Sequence, residues 1–91
     1  MEAEFLQSWQ KNRHIAQDLG VRFRPAELTM ALAHRQLSGH RESDGFGVLA
    51  QKGRLDLSLE ALAVKKPFTQ LFSDEQANNA LMRLLDAGYH F

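Results

Sequence analysis

The chain has 91 residues, 44% of them hydrophobic and 24% charged, with no cysteine. That leaves room for one small domain, burying about 60–65% of its unfolded surface, and it excludes a disulfide framework, a thiolate metal site and a wholly disordered polypeptide. Eleven basic and eleven acidic side chains cancel, which argues against an affinity drawn mainly from a polyanion backbone.

From Ala3 to Leu19, residues Phe5, Trp9, Ala16 and Leu19 fall within a narrow helical arc, with Leu6 and Ile15 on its flanks. This predicts a first amphipathic helix that Gly20 ends. Pro25 suits the first turn of a second helix running to about Leu37. Leu28, Ala31 and Leu32 lie on one side of it and Ala26, Met30, Ala33 and Leu37 on the other, so a helix apolar on two faces is expected in the middle of a bundle or against a partner. The run Ser38 to Gly47 concentrates turn formers and charges and reads as an exposed, flexible loop.

Beyond it, Phe46, Val48 and Ala50, then Lys52-Gly53, then Leu55, Leu57 and Leu59 alternate with polar residues, the period of a hairpin. Leu55, Leu59 and Leu62 also fit helical spacing, and Asp56 or Ser58 can cap a helix that stops before Pro67, so the expectation is a short hairpin or turn to Leu57 followed by a helix from Ser58 to about Lys65. Pro67 to Phe72 makes a further turn. The last helix has both ends marked: Ser73 and Gln76 form a capping box, Ala77, Ala80, Leu81, Leu84 and Leu85 recur at helical spacing, and Gly88 lets Tyr89 fold back onto Leu84.

No arrangement of chemical groups rises above ordinary turn or surface usage. His14, His34, His40 and His90 lack metal-ligand spacing. Ser38, Ser43 and Asp44 near His40 carry no nucleophile signature. Gly45-Phe46-Gly47 lacks the spacing and the following Lys-Ser/Thr of a phosphate loop. Asp74 and Glu75 complement the dipole of the last helix. One basic cluster has an aromatic interleaved, Arg22-Phe23-Arg24, with Lys11, Arg13 and His14 upstream and Arg35, His40 and Arg41 downstream, and residues 1–54 hold eight Lys or Arg against six acids. The two helices between Ser58 and Gly88 are loosely similar to the helical half of winged-helix and helix-turn-helix domains, which would use Asn78, Asn79 and Arg83 for base contacts, but the turn around Pro67 is longer than a compact helix-turn-helix allows.

The reading is a mostly α, single-domain bundle of about four helices over residues 1–91, with a short β-hairpin near residues 46–57. The expected function is non-enzymatic: a protein–protein interaction or regulatory adaptor module that docks apolar helix surface onto another protein or onto its own copy in a homodimer. Spare apolar or cationic character singles out Met30, Arg35, Tyr89 and Phe91 as partner contacts. The alternative is a helix-turn-helix-like nucleic-acid-binding regulator with Arg22, Arg24 and Arg83 on phosphates. No catalytic residue, cofactor or metal is assigned. The acidic start Met1-Glu2-Ala3-Glu4 and the lack of a long apolar run lead us to expect no membrane and a cytoplasmic location.

Overall fold

A computed structural model describes residues 1–90. Helix α1 spans Glu2–Asp18 and buries Phe5, Trp9 and Ala16 along one stripe. It ends in a left-handed Gly20 (φ 93°), after which the Val21 N–H donates back to the Ala16 carbonyl at 3.0 Å. That reversal carries Val21 into the core and leaves Leu19, expected on the buried arc, exposed at the helix end.

Helix α2 spans Met30–Ser38, five residues later than Pro25 suggested. Thr29 supplies the cap, its side chain accepting from the Leu32 N–H at 3.1 Å. Residues 21–29 stay irregular. Polar contacts hold them there: the Arg24 N–H donates to Asp44 Oδ2 at 2.7 Å, and Arg13 Nη2 donates to the Arg24 carbonyl at 3.2 Å. Backbone groups tied to other elements cannot join a helical ladder.

The hairpin expected near residues 46–57 does not form, and no strand occurs among the described residues. Phe46–Gln51 is helix α3 and Leu55–Leu57 a 3₁₀ turn. Lys52-Gly53, which resembles a hairpin turn, is a helix terminus instead: Gly53 adopts φ 69° and the Arg54 N–H donates to the Leu49 carbonyl at 2.9 Å. The same glycine serves either turn, and burial of Phe46 and Leu49 on one helical face selects the helix.

Helix α4, Leu59–Ala63, is capped by Ser58, whose Oγ accepts from the Ala61 N–H at 3.1 Å. All five of its residues are buried, so α4 and not α2 is the central helix. It feeds two core clusters. Leu59, Leu62 and Ala63 join Phe5, Trp9, Ala33, Leu37, Phe72 and Ala80. Ala61 joins Ala16, Val21, Phe46, Leu49, Leu55, Leu57 and Leu84. In the first cluster Phe5 meets Phe68 and Phe72 edge-on at ring separations of 5.4 and 5.2 Å.

A second 3₁₀ turn, Phe68–Leu71, leads to helix α5, Asp74–Asp86. Both of its marked ends form as the sequence expects. The Ser73–Gln76 capping box is present in both directions. At the other end Gly88 takes φ 81° and the Tyr89 N–H donates to the Leu84 carbonyl at 2.9 Å.

One glycine has a steric role as well as a conformational one. Gly45 precedes α3 at φ 82°, and a Cβ there would lie 2.5 Å from Phe23 Cε1. The Phe23 ring in turn carries the Arg13 guanidinium, 4.2 Å from its centroid. At Gly53, by contrast, a Cβ would meet nothing. We therefore expect Gly53→Ala to cost about 1–2 kcal/mol, the penalty of the left-handed conformation, and Gly45→Ala to cost clearly more because the ring must also move. Urea unfolding of both variants checks this, and equal losses would show that Phe23 yields freely.

Candidate docking surface

At about 3.6 residues per turn, the side chains of α5 divide into three stripes. Ala80 and Leu84 form the buried one. Gln76, Asn79 and Arg83 form a polar one that also points inward, onto the C-terminal end of α2. Gln76 Nε2 donates to the His34 carbonyl at 3.3 Å and to Ser38 Oγ at 2.8 Å, and Asn79 Nδ2 donates to the Leu37 carbonyl at 2.9 Å. Arg83 donates to the Gln36 carbonyl at 3.0 Å and the Gly39 carbonyl at 2.6 Å. The last carbonyls of a helix have no intrahelical partner, and here a neighbouring helix supplies the donors. Gln76 Oε1 also lies 2.9 Å from His34 Nδ1, and since a carbonyl oxygen only accepts, that ring nitrogen carries the hydrogen.

Arg83 reaches further, to Glu60 Oε2 at 3.2 Å. Glu60 is fully buried in α4 and the Arg83 side chain is 9% exposed. Ser43 completes the carboxylate's shell: its N–H donates to Oε2 at 2.8 Å and its hydroxyl to Oε1 at 2.5 Å. Two oxygens receive three donors, and no buried side-chain polar atom is left without a partner among the described residues. The loop expected to be exposed and flexible is thus pinned at a buried Ser43.

The third stripe faces solvent. Leu81 is 37%, Met82 56% and Leu85 50% exposed, with exposed Asn78 one turn before them. Leu81 and Leu85, expected in the core, are therefore outside it. The polar stripe seeks the α2 carbonyls and Glu60, and this turns the helix so that one of its apolar flanks faces out. Of the other exposed large apolar residues, Met1 and Leu19 flank the two ends of α1 and Val48 lies on α3.

Of the expected partner contacts, Met30 is half-buried against the first core cluster and Tyr89 half-buried against the second. Arg35 is exposed on α2. Phe91 lies outside the described residues. Of the arginines expected on phosphates, Arg22 and Arg24 are exposed while Arg83 points into the protein. Arg24 lines an open groove of about 640 Å³ together with Arg13, Arg41, Glu42 and Asp44. Two carboxylates thus offset three guanidinium groups there. Burial lowers the pKa of Arg13 from its ordinary value, and Asp44 opposes that shift.

Sequence reasoning missed Met82 and misplaced Leu81 and Leu85. The usable signal was the triplet Gln76, Asn79, Arg83 at i, i+3, i+7, a polar stripe with many donors that buried carbonyls can satisfy. Among the described residues, no group of three or more His, Asp or Glu is placed to hold a metal ion, and no helix is long and apolar enough to cross a membrane. No protein-family model, curated protein or solved structure matches the chain.

Removing one member of a buried ion pair typically costs about 3–5 kcal/mol, a large share of the roughly 5–14 kcal/mol expected of a domain this size. Glu60→Gln and Arg83→Met should each show such a loss in urea unfolding, and the double variant should lose less than their sum, whereas simple additivity would show that the pair is uncoupled. At the surface, Arg54 holds Asp56 by two hydrogen bonds of 3.1 and 3.2 Å, and these keep its carboxyl below the ordinary value of 3.8. A depressed carboxylate stabilises the fold above its ordinary pKa, and that contribution is lost as pH falls through the lower folded value. Asp56→Asn should cost less than about 1 kcal/mol at neutral pH, with the difference from wild type vanishing on acidification. A cost that persists in acid would point to packing instead.

Proposed function

We propose that the protein is a non-enzymatic interaction module, an adaptor or regulatory domain, that binds a partner protein on the outer face of α5. The observation that carries this reading is the row Leu81, Met82 and Leu85, exposed on a helix whose other two stripes are fixed to the rest of the molecule. A helix held in that way presents its apolar face in one orientation, so little ordering is needed on docking. Completing the burial of three half-exposed side chains of this size contributes about 2–4 kcal/mol, enough to anchor a weak or transient contact. Helix-in-groove recognition uses anchors three or four positions apart, the spacings of Met82 and Leu81 from Leu85. Phosphate contacts by Arg22, Arg24 and Arg83 have less support, because Arg83 is occupied by Glu60 and by the carbonyls of Gln36 and Gly39.

Selection of helical peptides from a display library, followed by amide chemical-shift mapping of the enriched sequences on this protein, tests the reading. The expected result is perturbation centred on Leu81, Met82 and Leu85. Leu85→Lys should then weaken binding by tenfold or more, about 1.4 kcal/mol, and leave thermal stability nearly unchanged because the position is exposed. Enriched peptides that map elsewhere, or a Leu85→Lys variant that binds as well as wild type, would overturn it.

A further inference from the structure

We propose that the partner segment on α5 is a basic amphipathic helix from another protein, with cations at both ends of a short apolar row; this rests on the docking reading above and specifies its partner. The outer face of α5 is apolar in the middle and acidic at its ends. Asp74 lies on the same line as Asn78, Leu81 and Leu85, at i, i+4, i+7 and i+11, and Glu75 lines up with Met82 and Asp86. All three carboxylates are exposed. The one cation of α5, Arg83, is turned inward to Glu60, so this helix offers no positive charge of its own to the face.

Charge placement decides between occupants. A second copy packed through the same face would, in the antiparallel arrangement of a two-fold dimer, bring Asp74 and Glu75 of each copy toward Asp86 of the other. Like charges at an interface work against that pairing. A partner helix with Lys or Arg near both ends meets carboxylates at both ends instead. At 1.5 Å per residue, Glu75 and Asp86 lie about 16 Å apart along the axis, so the two cationic positions on the partner are spaced by about eleven residues, with two or three large apolar side chains between them. The cation opposite Asp86 is the better placed of the two, because the C-terminal end of α5 adds the negative end of its dipole there.

Three synthetic helical peptides test this, each about fourteen residues long and sharing one apolar row, with Lys, Gln or Glu at the flanking positions. Amide chemical shifts would be followed during titration at low and at high salt. The expected order of affinity is Lys over Gln over Glu, with at least a tenfold gap between the extremes that narrows as salt rises. Asp86→Lys, a substitution the helix C-terminus tolerates, should reduce the preference for the Lys peptide several-fold. Equal affinities for the three peptides, with shifts still centred on Leu81, Met82 and Leu85, would overturn the charge assignment and leave docking standing. Absence of shifts on α5 with every peptide would overturn the docking reading itself. Concentration-dependent dimerisation that Leu85→Lys abolishes would assign the face to a second copy and overturn the basic partner.

Discussion

The arrangement of this small domain depends on one buried carboxylate. Glu60 is the second residue of α4, the shortest α-helix, with Leu59 and Ala61 on either side of it feeding two different core clusters. A charge in that setting is tolerable only if its oxygens are fully satisfied. The acceptor in α4 draws its donors from two other stretches of chain, Ser43 in the loop after α2 and Arg83 in α5. Arg83 also donates to the carbonyls of Gln36 and Gly39 at the end of α2. A single polar node thus fixes the mutual placement of α2, α4, α5 and the intervening loop. Apolar packing is less directional than hydrogen bonding, so the polar node adds an orientation that contacts among the core side chains do not by themselves define.

A further consequence lies on the opposite side of α5. Turning Gln76, Asn79 and Arg83 inward satisfies the end of α2 and the buried carboxylate, and it leaves Leu81, Met82 and Leu85 in solvent. An apolar face with acidic ends is in this sense a by-product of the inner polar stripe. The same inward turn removes the only cation from the exposed side of the helix. Arg83 therefore couples the buried polar network to the composition of the outer face of α5. The region around Phe23 shows a smaller version of this economy: Gly45 lacks a side chain, the Phe23 ring fills the space, and the Arg13 guanidinium covers the ring while its donor holds the Arg24 carbonyl.

What was legible in the residues was local. Helix α1 and its glycine stop, the Ser58 cap, and above all the capping box and the left-handed Gly88 of α5 are written in contiguous side chains, and each forms in the structure. These motifs close hydrogen bonds within a few residues, so neighbouring sequence contains all the information they need. The start of α2 was misread because Pro25 is compatible with a helix while Asp44, twenty residues away, holds the Arg24 N–H in an irregular segment. The stretch 46–57 was ambiguous for a related reason. Its alternation and its Lys52-Gly53 pair fit a hairpin, but a hairpin needs a sheet or a covering layer to be stable, and the core offers Phe46 and Leu49 a helical face instead.

By itself, then, the sequence determined that the chain is helical, where most of its helices stop, and which apolar residues of the last helix recur at helical spacing. Which of those residues are buried was decided only by tertiary structure. The choice depends on the distances from Gln76, Asn79 and Arg83 to carbonyls more than forty positions earlier in the chain and from Arg83 to Glu60. A periodic pattern records which residues share a face of a helix, but it cannot record which face meets the neighbour when a polar stripe with buried acceptors competes with an apolar one. Here the acceptors included a buried carboxylate and the open end of a helix. Leaving those groups without donors costs more than exposing two leucines and a methionine, and the helix turned accordingly.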